Sequence, residues 1–502
     1  MVGLNFRKIY IYILSFFSGM SIMAVELSAS RLMAPYFGTS TFVWTNIIGV
    51  IMIALAIGYI LGGRLADKNT NLRTLLKLII FACLALFLVP FFTPVLVKNL
   101  TSSFFLFSSA TFVIFFGSLA SIAILFFLPI LLLGIVSPFL IKLLSVAQED
   151  VGQSAGTIFG ISTIGSILGT FLPILVFIPT MGTARTIIFF SSLLFIVALC
   201  GFFQGKYFVL MPIIILPWIY NLPEIKQVEG KIYETESSYQ FIQVVDEGKS
   251  RLLQYNDGLG IQTVYNKESI LTGRYYDYYS LLPYLTNKKE KSILIIGLAG
   301  GTIAKQLKYF FPDAQIDGVE IDQKVIDASR KFFDLKNEAD IYNQDGRIYL
   351  AQNKKKYDII IIDAYSNQLY IPFHLATKEF FEEVLAHLSE EGMVAMNVNA
   401  ASDNSKLLRN ITNTLNLVFN NTYTLKSDPN SMNYLVLGAQ TELQPERLAQ
   451  NTAIELIPIA LFASFNFKKV QFDNNFSVLT DDKAPIEYLT DWMILDYVMS
   501  RE

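Results

Sequence analysis

Histidine and cysteine are nearly missing from this chain, with two of each in 502 residues. His374 and His387 are too few for a His-rich metal site. Cys83 and Cys200 both lie inside apolar runs, which argues against a disulfide framework and against a thiolate metal site. Acidic residues are scarce at the start: residues 1–223 carry 11 Lys/Arg and 4 Asp/Glu, whereas the remainder carries 28 and 38. The two parts therefore face different solvents, with a boundary near Pro223. The acidic second part argues against nucleic acid as a partner. Apolar residues are abundant instead. They make up 53% of the chain, and the mean hydropathy of +0.45 is too high for a soluble enzyme of this length.

Apolar runs of spanning length, roughly 20 residues, occur at 9–28, 42–63, 75–97, 153–179 and 184–203, with a shorter one at 207–221. The run 104–144 reads either as one long tilted helix or as a tight pair, so seven or eight spans are expected. The first run lacks a small-residue cleavage site and is followed by more spans, so it reads as a retained anchor. Arg7 and Lys8, and then Arg64, Lys68, Arg73 and Lys77, place the N-terminus and the second loop in the cytoplasm. An even number of spans returns residues after 223 to the cytoplasm, where nucleotide-derived cofactors are available, and eight is preferred on that ground. Gly58-xxx-Gly62, Gly156-xxx-Gly160 and Gly165-xxx-Gly169 are expected to bring helix backbones together. Glu26 is the one acidic residue deep in a span, and reads either as a functional group or as a partner for Arg31.

Beyond 223, strand patterns around 239–245, 251–256 and 261–265 predict a small β hairpin region, followed by a tyrosine-rich helix within 273–285. Strands and helices then alternate from 292 onward. The first strand ends in the glycine turn 297–301 and the second on Glu320; Asp345-Gly346 follows the third, and Asp363 ends the fourth. Such alternation gives a mostly parallel sheet with ligands at the strand carboxyl ends. All four features fall there and would converge on one crevice. The turn alone fits any doubly wound domain. Glu320, a carboxylate ending the second strand, suits the two hydroxyls of a ribose.

These residues resemble the spermidine synthase family of polyamine aminopropyltransferases. The matching pieces are Tyr239-Gln240, Asn256-Asp257-Gly258 with Gln262, the glycine turn, Glu320-Ile321-Asp322, Asp345-Gly346, Asp363 and Thr377-Lys378-Glu379-Phe380. The strings RLMAPYFGTSTFVW, GYILGGRLADK, LLLGIVSPF, STIGSILGT and TDDKAPIE resemble a membrane-fused subgroup. The implied architecture is a multi-pass α-helical membrane domain (1–223), then a small β-rich and tyrosine-helix region (231–290). An α/β Rossmann-like domain of class I methyltransferase type (291–502) completes it. The resemblance implies transfer of an aminopropyl group from decarboxylated S-adenosylmethionine to an amine such as putrescine, without a metal. It assigns cofactor binding to Gly297, Gly300, Gly301, Glu320, Asp345, Gly346 and Gln262. Gln240, Asp277 and Tyr365 fall to the substrate, and Asp363 is the general base. The partners implied are the lipid bilayer, a small amine and a second copy of the chain, with no nucleic acid. The implied location is the inner membrane of a bacterium, with the catalytic part in the cytoplasm.

Three positions depart from the family pattern. Ala299 stands where the family has the Asp that holds the donor's ammonium, Ser366 replaces a second Asp after Asp363, and Asn397-Val398-Asn399 replaces a Gln-Gly-Glu string. A buried ammonium without a counter-charge costs several kcal/mol, which leaves Asp277 as the substitute anchor. Two other functions stay open on this ground. One is a methyltransferase using ordinary S-adenosylmethionine on a membrane-delivered substrate. The other is a non-catalytic polyamine-binding or transport protein. A nicotinamide dehydrogenase explains neither Asp345 nor Asp363.

Overall fold

The computed structural model of the chain describes residues 2–38, 40–104, 110–148, 150–202, 209–226, 228–258, 260–286, 291–366, 369–429 and 431–499. The side chains of 2–6, 101–104, 110–114, 147–148, 451 and 495–499 are not among those described. Internal packing divides the chain into two compact units. One is Met1–Gln227 with Thr235–Phe241, and the other is Val228–Glu234 with Ile242–Glu502.

The first unit is helical, because an apolar chain that leaves water must satisfy its own backbone. Its helices are α1 (Val2–Phe37), α2 (Thr41–Lys68), α3 (Leu72–Phe104), α4 (Ala110–Gly134), α5 (Val136–Gln148) and α6 (Val151–Leu172). A π-turn at Pro173–Phe177 joins α6 to α7 (Ile178–Met181), and α8 (Thr183–Cys200) and α9 (Pro212–Ile219) follow. Among the described residues, six helices are long and apolar enough to cross a membrane, fewer than the seven or eight expected. The described part of the run 104–144 contributes one span candidate, Phe115–Val146, built from the consecutive helices α4 and α5. The run 207–221 yields only the eight-residue α9. At 1.5 Å per residue that is about 12 Å, well short of a hydrocarbon core of about 30 Å. Met52, Ile53 and Ile60 of α2 and Phe159, Ile164 and Phe171 of α6 are exposed, so these helices are apolar outside as well as inside.

Two of the three glycine pairs act as expected. A Cβ at Gly58 or Gly62 would strike the backbone at Leu131, Gly134 and Ile135, and one at Gly165 or Gly169 would strike that of Phe16 and Met20. Gly156 and Gly160 face nothing within 4 Å, so that pair makes no helix contact. Spacing alone cannot say which helix face finds a neighbour. Arg31 donates to the carbonyl of Ser238, and among the described residues no ion pair joins it to Glu26.

The second unit opens with a four-stranded sheet ordered β1-β2-β3-β4, made of β1 (Lys231–Glu236), β2 (Phe241–Asp246), β3 (Ser250–Tyr255) and β4 (Ile261–Asn266). The tyrosine segment forms α10 (Tyr276–Tyr279) and a 3-10 turn at Leu282–Leu285. Then β5 (Ser292–Ile296), α11 (Thr302–Phe310), β6 (Gln315–Glu320), α12 (Gln323–Phe332), β7 (Asp340–Asn343), α13 (Gly346–Gln352) and β8 (Tyr357–Ile362) alternate. They are followed by α14 (Lys378–Ala386), β9 (Leu388–Asn399), α15 (Lys406–Val418), β10 (Asn421–Lys426) and β11 (Asn433–Ala439). Short α16 (Leu448–Asn451), α17 (Ile457–Asn466), β12 (Lys468–Val470) and α18 (Ile486–Met499) complete the chain.

The large sheet runs β12-β10-β11-β9-β8-β5-β6-β7. Strands β5 to β9 are mutually parallel, and β11, β10 and β12 are added antiparallel. The chain leaves β5 toward β6 and β7, then returns to β8 on the other side. That reversal is a topological switch point, where a ligand crevice opens at the strand carboxyl ends. Val245, Leu252 and Val264 of the small sheet share one apolar core with Ile293, Ile303 and Leu307. Region 231–290 is thus packed as part of the second unit, apart from Thr235–Phe241.

Candidate active site at the switch point

Register brings the predicted carboxylates to one level of the sheet. Ile296 aligns with Val319 and with Ile362, Glu320 with Asn343, and Ile362 with Met396. Gly297 and Asp363 therefore lie one residue beyond the ends of β5 and β8, Glu320 ends β6, and Asn397 stands beside them within β9. Gly297 adopts φ +89°, and a Cβ there would sit 2.5 Å from the Asp363 carbonyl oxygen, so only glycine fits between the ends of β5 and β8. Gly300 and Gly301 face Thr263 and Leu335, and Gly346 faces Ile296. Their smallness serves packing of the turn. The Gly300 amide also donates to Thr263 Oγ1 at 2.8 Å.

The Asp363 carboxylate is held by two side chains, Tyr275 and Asn397. The Tyr275 hydroxyl donates to Oδ2 at 3.0 Å and lies 3.2 Å from Oδ1. Asn397 Nδ2 donates to Oδ1 at 3.0 Å, and Tyr365 donates to the Asn397 carbonyl at 2.8 Å. Asn433 fixes the amide from behind, donating to Asn397 Oδ1 at 3.2 Å and to Asn399 Oδ1 at 2.9 Å. Burial pushes the Asp363 carboxyl up to about 6, against the pull of the Asn397 and Tyr275 hydrogen bonds.

Glu320 is buried. Its Oε2 accepts the Ala299 amide at 2.9 Å, and its Oε1 accepts the Asp322 amide at 3.1 Å. Desolvation outweighs these bonds and raises it to about 7. Asp345 caps α13, with Oδ1 accepting the Arg347 and Ile348 amides at 2.9 and 3.0 Å. Its Oδ2 lies 3.1 Å from His374 Nε2, and this contact above all lowers its pKa.

The remaining predicted residues part company with the site. Asp277 is 2% exposed, and its carboxylate takes the Thr272 amide and hydroxyl, the Gly273 amide and Gln306 Nε2 at 2.6 Å. It braces the 272–273 turn and cannot also anchor a substrate ammonium. Gln262 is half-buried in β4, and it is the neighbouring Thr263 that contacts the glycine turn. Gln240 is buried in the segment grouped with the first unit, its amide bonded to Ser237 Oγ at 3.0 Å. Ala299 holds φ +46° and brings no charge. The Ser366 amide and hydroxyl both donate to the Tyr370 carbonyl, at 2.8 and 3.2 Å. Asn367 lies outside the described residues. Among the described residues, no group of three or more His, Cys, Asp or Glu could hold a metal.

Sequence reasoning missed Tyr275, His374 and Asn433, and treated Asn397 only as a lost acidic anchor. The signal for Tyr275 was present: residues 275 and 279 sit four apart on a helical stretch and share a face.

Residues 274–428 match the family described as spermine/spermidine synthase domain. A probable polyamine aminopropyl transferase of Bifidobacterium longum is 34% identical over 276 residues, covering 51% of this chain but only 61% of that protein. The polyamine aminopropyltransferase of Vibrio vulnificus is 30% identical over 275 residues, covering 51% of this chain and 91% of the relative. Among solved structures, a probable spermidine synthase from Corynebacterium glutamicum gives a TM-score of 0.41 at 17% identity, over 51% of this chain and 97% of that one. With three carboxylates at the switch point, and a relative matched over nine-tenths of its length, this chain belongs to the polyamine aminopropyltransferase family.

Proposed function

We propose that the second unit transfers an aminopropyl group from decarboxylated S-adenosylmethionine to a small amine such as putrescine. One observation carries this reading: a carboxyl raised to about 6 stands at the switch point, clasped by Tyr275 and Asn397. A base of that strength is ionised at neutral pH yet basic enough to take a proton from an ammonium. The deprotonated amine then attacks the carbon next to the sulfonium. The C–N bond forms as the C–S bond breaks, and sulfur leaves as the neutral thioether of 5′-methylthioadenosine. The sulfonium is already electrophilic, so the step needs no further activation.

In this reading Glu320 takes the ribose hydroxyls on the lone pairs left by Ala299 and Asp322, and Asp345 takes the adenine amino group beside His374. Gly297 keeps the turn close to the nucleoside. Tyr365 and Asn397 shape the acceptor pocket around Asp363. Ala299 and Ser366 remove two carboxylates from the family pattern, so the acceptor is held by neutral phenols and amides more than by charge. The same loss at Ala299 favours a second reading, methyl transfer from S-adenosylmethionine.

The purified chain, incubated with decarboxylated S-adenosylmethionine and putrescine, should yield spermidine and 5′-methylthioadenosine by mass analysis. Methyl transfer from S-adenosylmethionine, with no aminopropyl product, would favour the second reading. The exposed apolar faces of α2 and α6 support a bilayer around the first unit. The even number of candidate spans among the described residues supports a cytoplasmic location for the second.

A further inference from the structure

Asparagine recurs beside the candidate base. Asn397 and Asn399 lie two apart on β9, so they share one face of the sheet. Asn433 opens β11 directly opposite Asn399. Its Nδ2 carries two N–H donors and reaches two oxygens, Asn397 Oδ1 at 3.2 Å and Asn399 Oδ1 at 2.9 Å. Asn433 is itself fixed, because its Oδ1 accepts the Ser431 hydroxyl at 3.2 Å and its backbone amide donates to Ser431 Oγ at 3.0 Å. The hydrogen bonds thus run one way, from the Ser431 hydroxyl through Asn433 and Asn397 into Asp363 Oδ1. Donors aligned in series polarise one another, and the last of these meets a carboxylate. Asn397 is 2% exposed, so its amide has little water to turn to. With Oδ1 held by Asn433, Nδ2 is left for Asp363. Turned over, the amide would set an oxygen against the carboxylate. The titratable groups around Asp363 are Tyr275, Tyr276 and Tyr279 of the tyrosine segment and Tyr365 after β8. Burial above all, and then the charge of Asp363, holds each of them above the ordinary tyrosine range and so neutral.

We propose that Asn433 is a positioning residue that sets the protonation of the base, by holding the Asn397 amide in the orientation that donates to Asp363. The inference rests on the aminopropyl-transfer reading and deepens it, since it says what keeps a buried carboxyl ionised at neutral pH. It also gives both amides of the Asn397-Val398-Asn399 string a use, because each offers Asn433 a carbonyl oxygen. Asn433 acts only through Asn397 and touches neither the donor nor the amine.

The test is Asn433→Val in the full chain, which suits a strand and removes the donor without adding charge. Infrared titration, with the Asp363→Asn spectrum subtracted, reads the pH at which the Asp363 carboxyl loses its proton. Wild type should lose it near pH 6. The variant should lose it about one unit higher, a tenfold change in the ratio of the two forms. Its aminopropyl transfer should shift to higher pH by the same amount and then reach within about twofold of the wild-type plateau. In an Asn397→Val background, Asn433→Val should move the midpoint no further. Asn433→Asp keeps the shape and cannot donate, so it should move the midpoint at least as far, and it replaces the valine variant if that one does not fold. An unchanged midpoint would overturn the proposal. So would the same shift in the absence of Asn397, or a rate lowered equally at every pH. Should wild type transfer no aminopropyl group, the reaction reading falls by itself, and the infrared titration still decides Asn433.

Discussion

Burial of Glu320 makes the folded protein less stable once the carboxyl is ionised. Its folded pKa of about 7 lies above the usual 4.5, so the folded state binds its proton more tightly than the unfolded one. Stability is therefore fully present below pH 4.5 and lost as pH rises toward 7. Glu320→Gln removes this dependence. The variant should match wild type near pH 4.5 and exceed it at pH 8, by on the order of 1–3 kcal/mol, in thermal unfolding of ligand-free protein. The same difference at both pH values would show that burial does not shift Glu320. The place of Glu320 at the end of a buried strand was legible in the sequence, and its bonds to the Ala299 and Asp322 amides were not. Nor was the part Asp277 plays in bracing the 272–273 turn. Asp277 sits on α10, and which side of that helix faces the base depends on how it is rotated against β4 and α11, which composition does not encode.

At the scale of elements, alternation located nearly every strand and helix of the large sheet, because buried parallel strands and amphipathic helices carry distinct periods. The failures have physical causes. The run 207–221 is apolar enough for a span, but its described part forms a helix of only eight residues, Pro212–Ile219, with Pro217 inside it. The string TDDKAPIE was recognised, but its partners were not. Asp481 accepts both guanidinium ends of Arg347 at 2.7 Å and the Thr377 hydroxyl at 2.7 Å, clasping the start of α14 to α13. Thr377 also caps α14 through the Phe380 amide. Thr377→Ala should therefore cost about 1–2 kcal/mol, read as a lower thermal midpoint with unchanged 5′-methylthioadenosine affinity. An unchanged midpoint would show that Arg347 alone holds the clasp.

At the scale of the whole molecule, the charge asymmetry between the first 223 residues and the rest was the clearest guide to two units with different surroundings. Seven or eight spans were expected, with eight preferred, and the six candidates among the described residues are again an even number. A reporter enzyme fused after Glu502 should thus be active on the cytoplasmic side, and activity on the opposite side would remove the intracellular donor from the account. The central claim, that Asp363 is the base for amine transfer, is tested most directly by comparing wild type with Asp363→Asn from pH 5 to 9. Aminopropyl transfer by wild type should rise as pH passes about 6, where the carboxyl loses its proton. The variant should bind 5′-methylthioadenosine as well as wild type but transfer roughly 10²–10⁴-fold more slowly, without that rise. Transfer by Asp363→Asn at the wild-type rate would contradict the account.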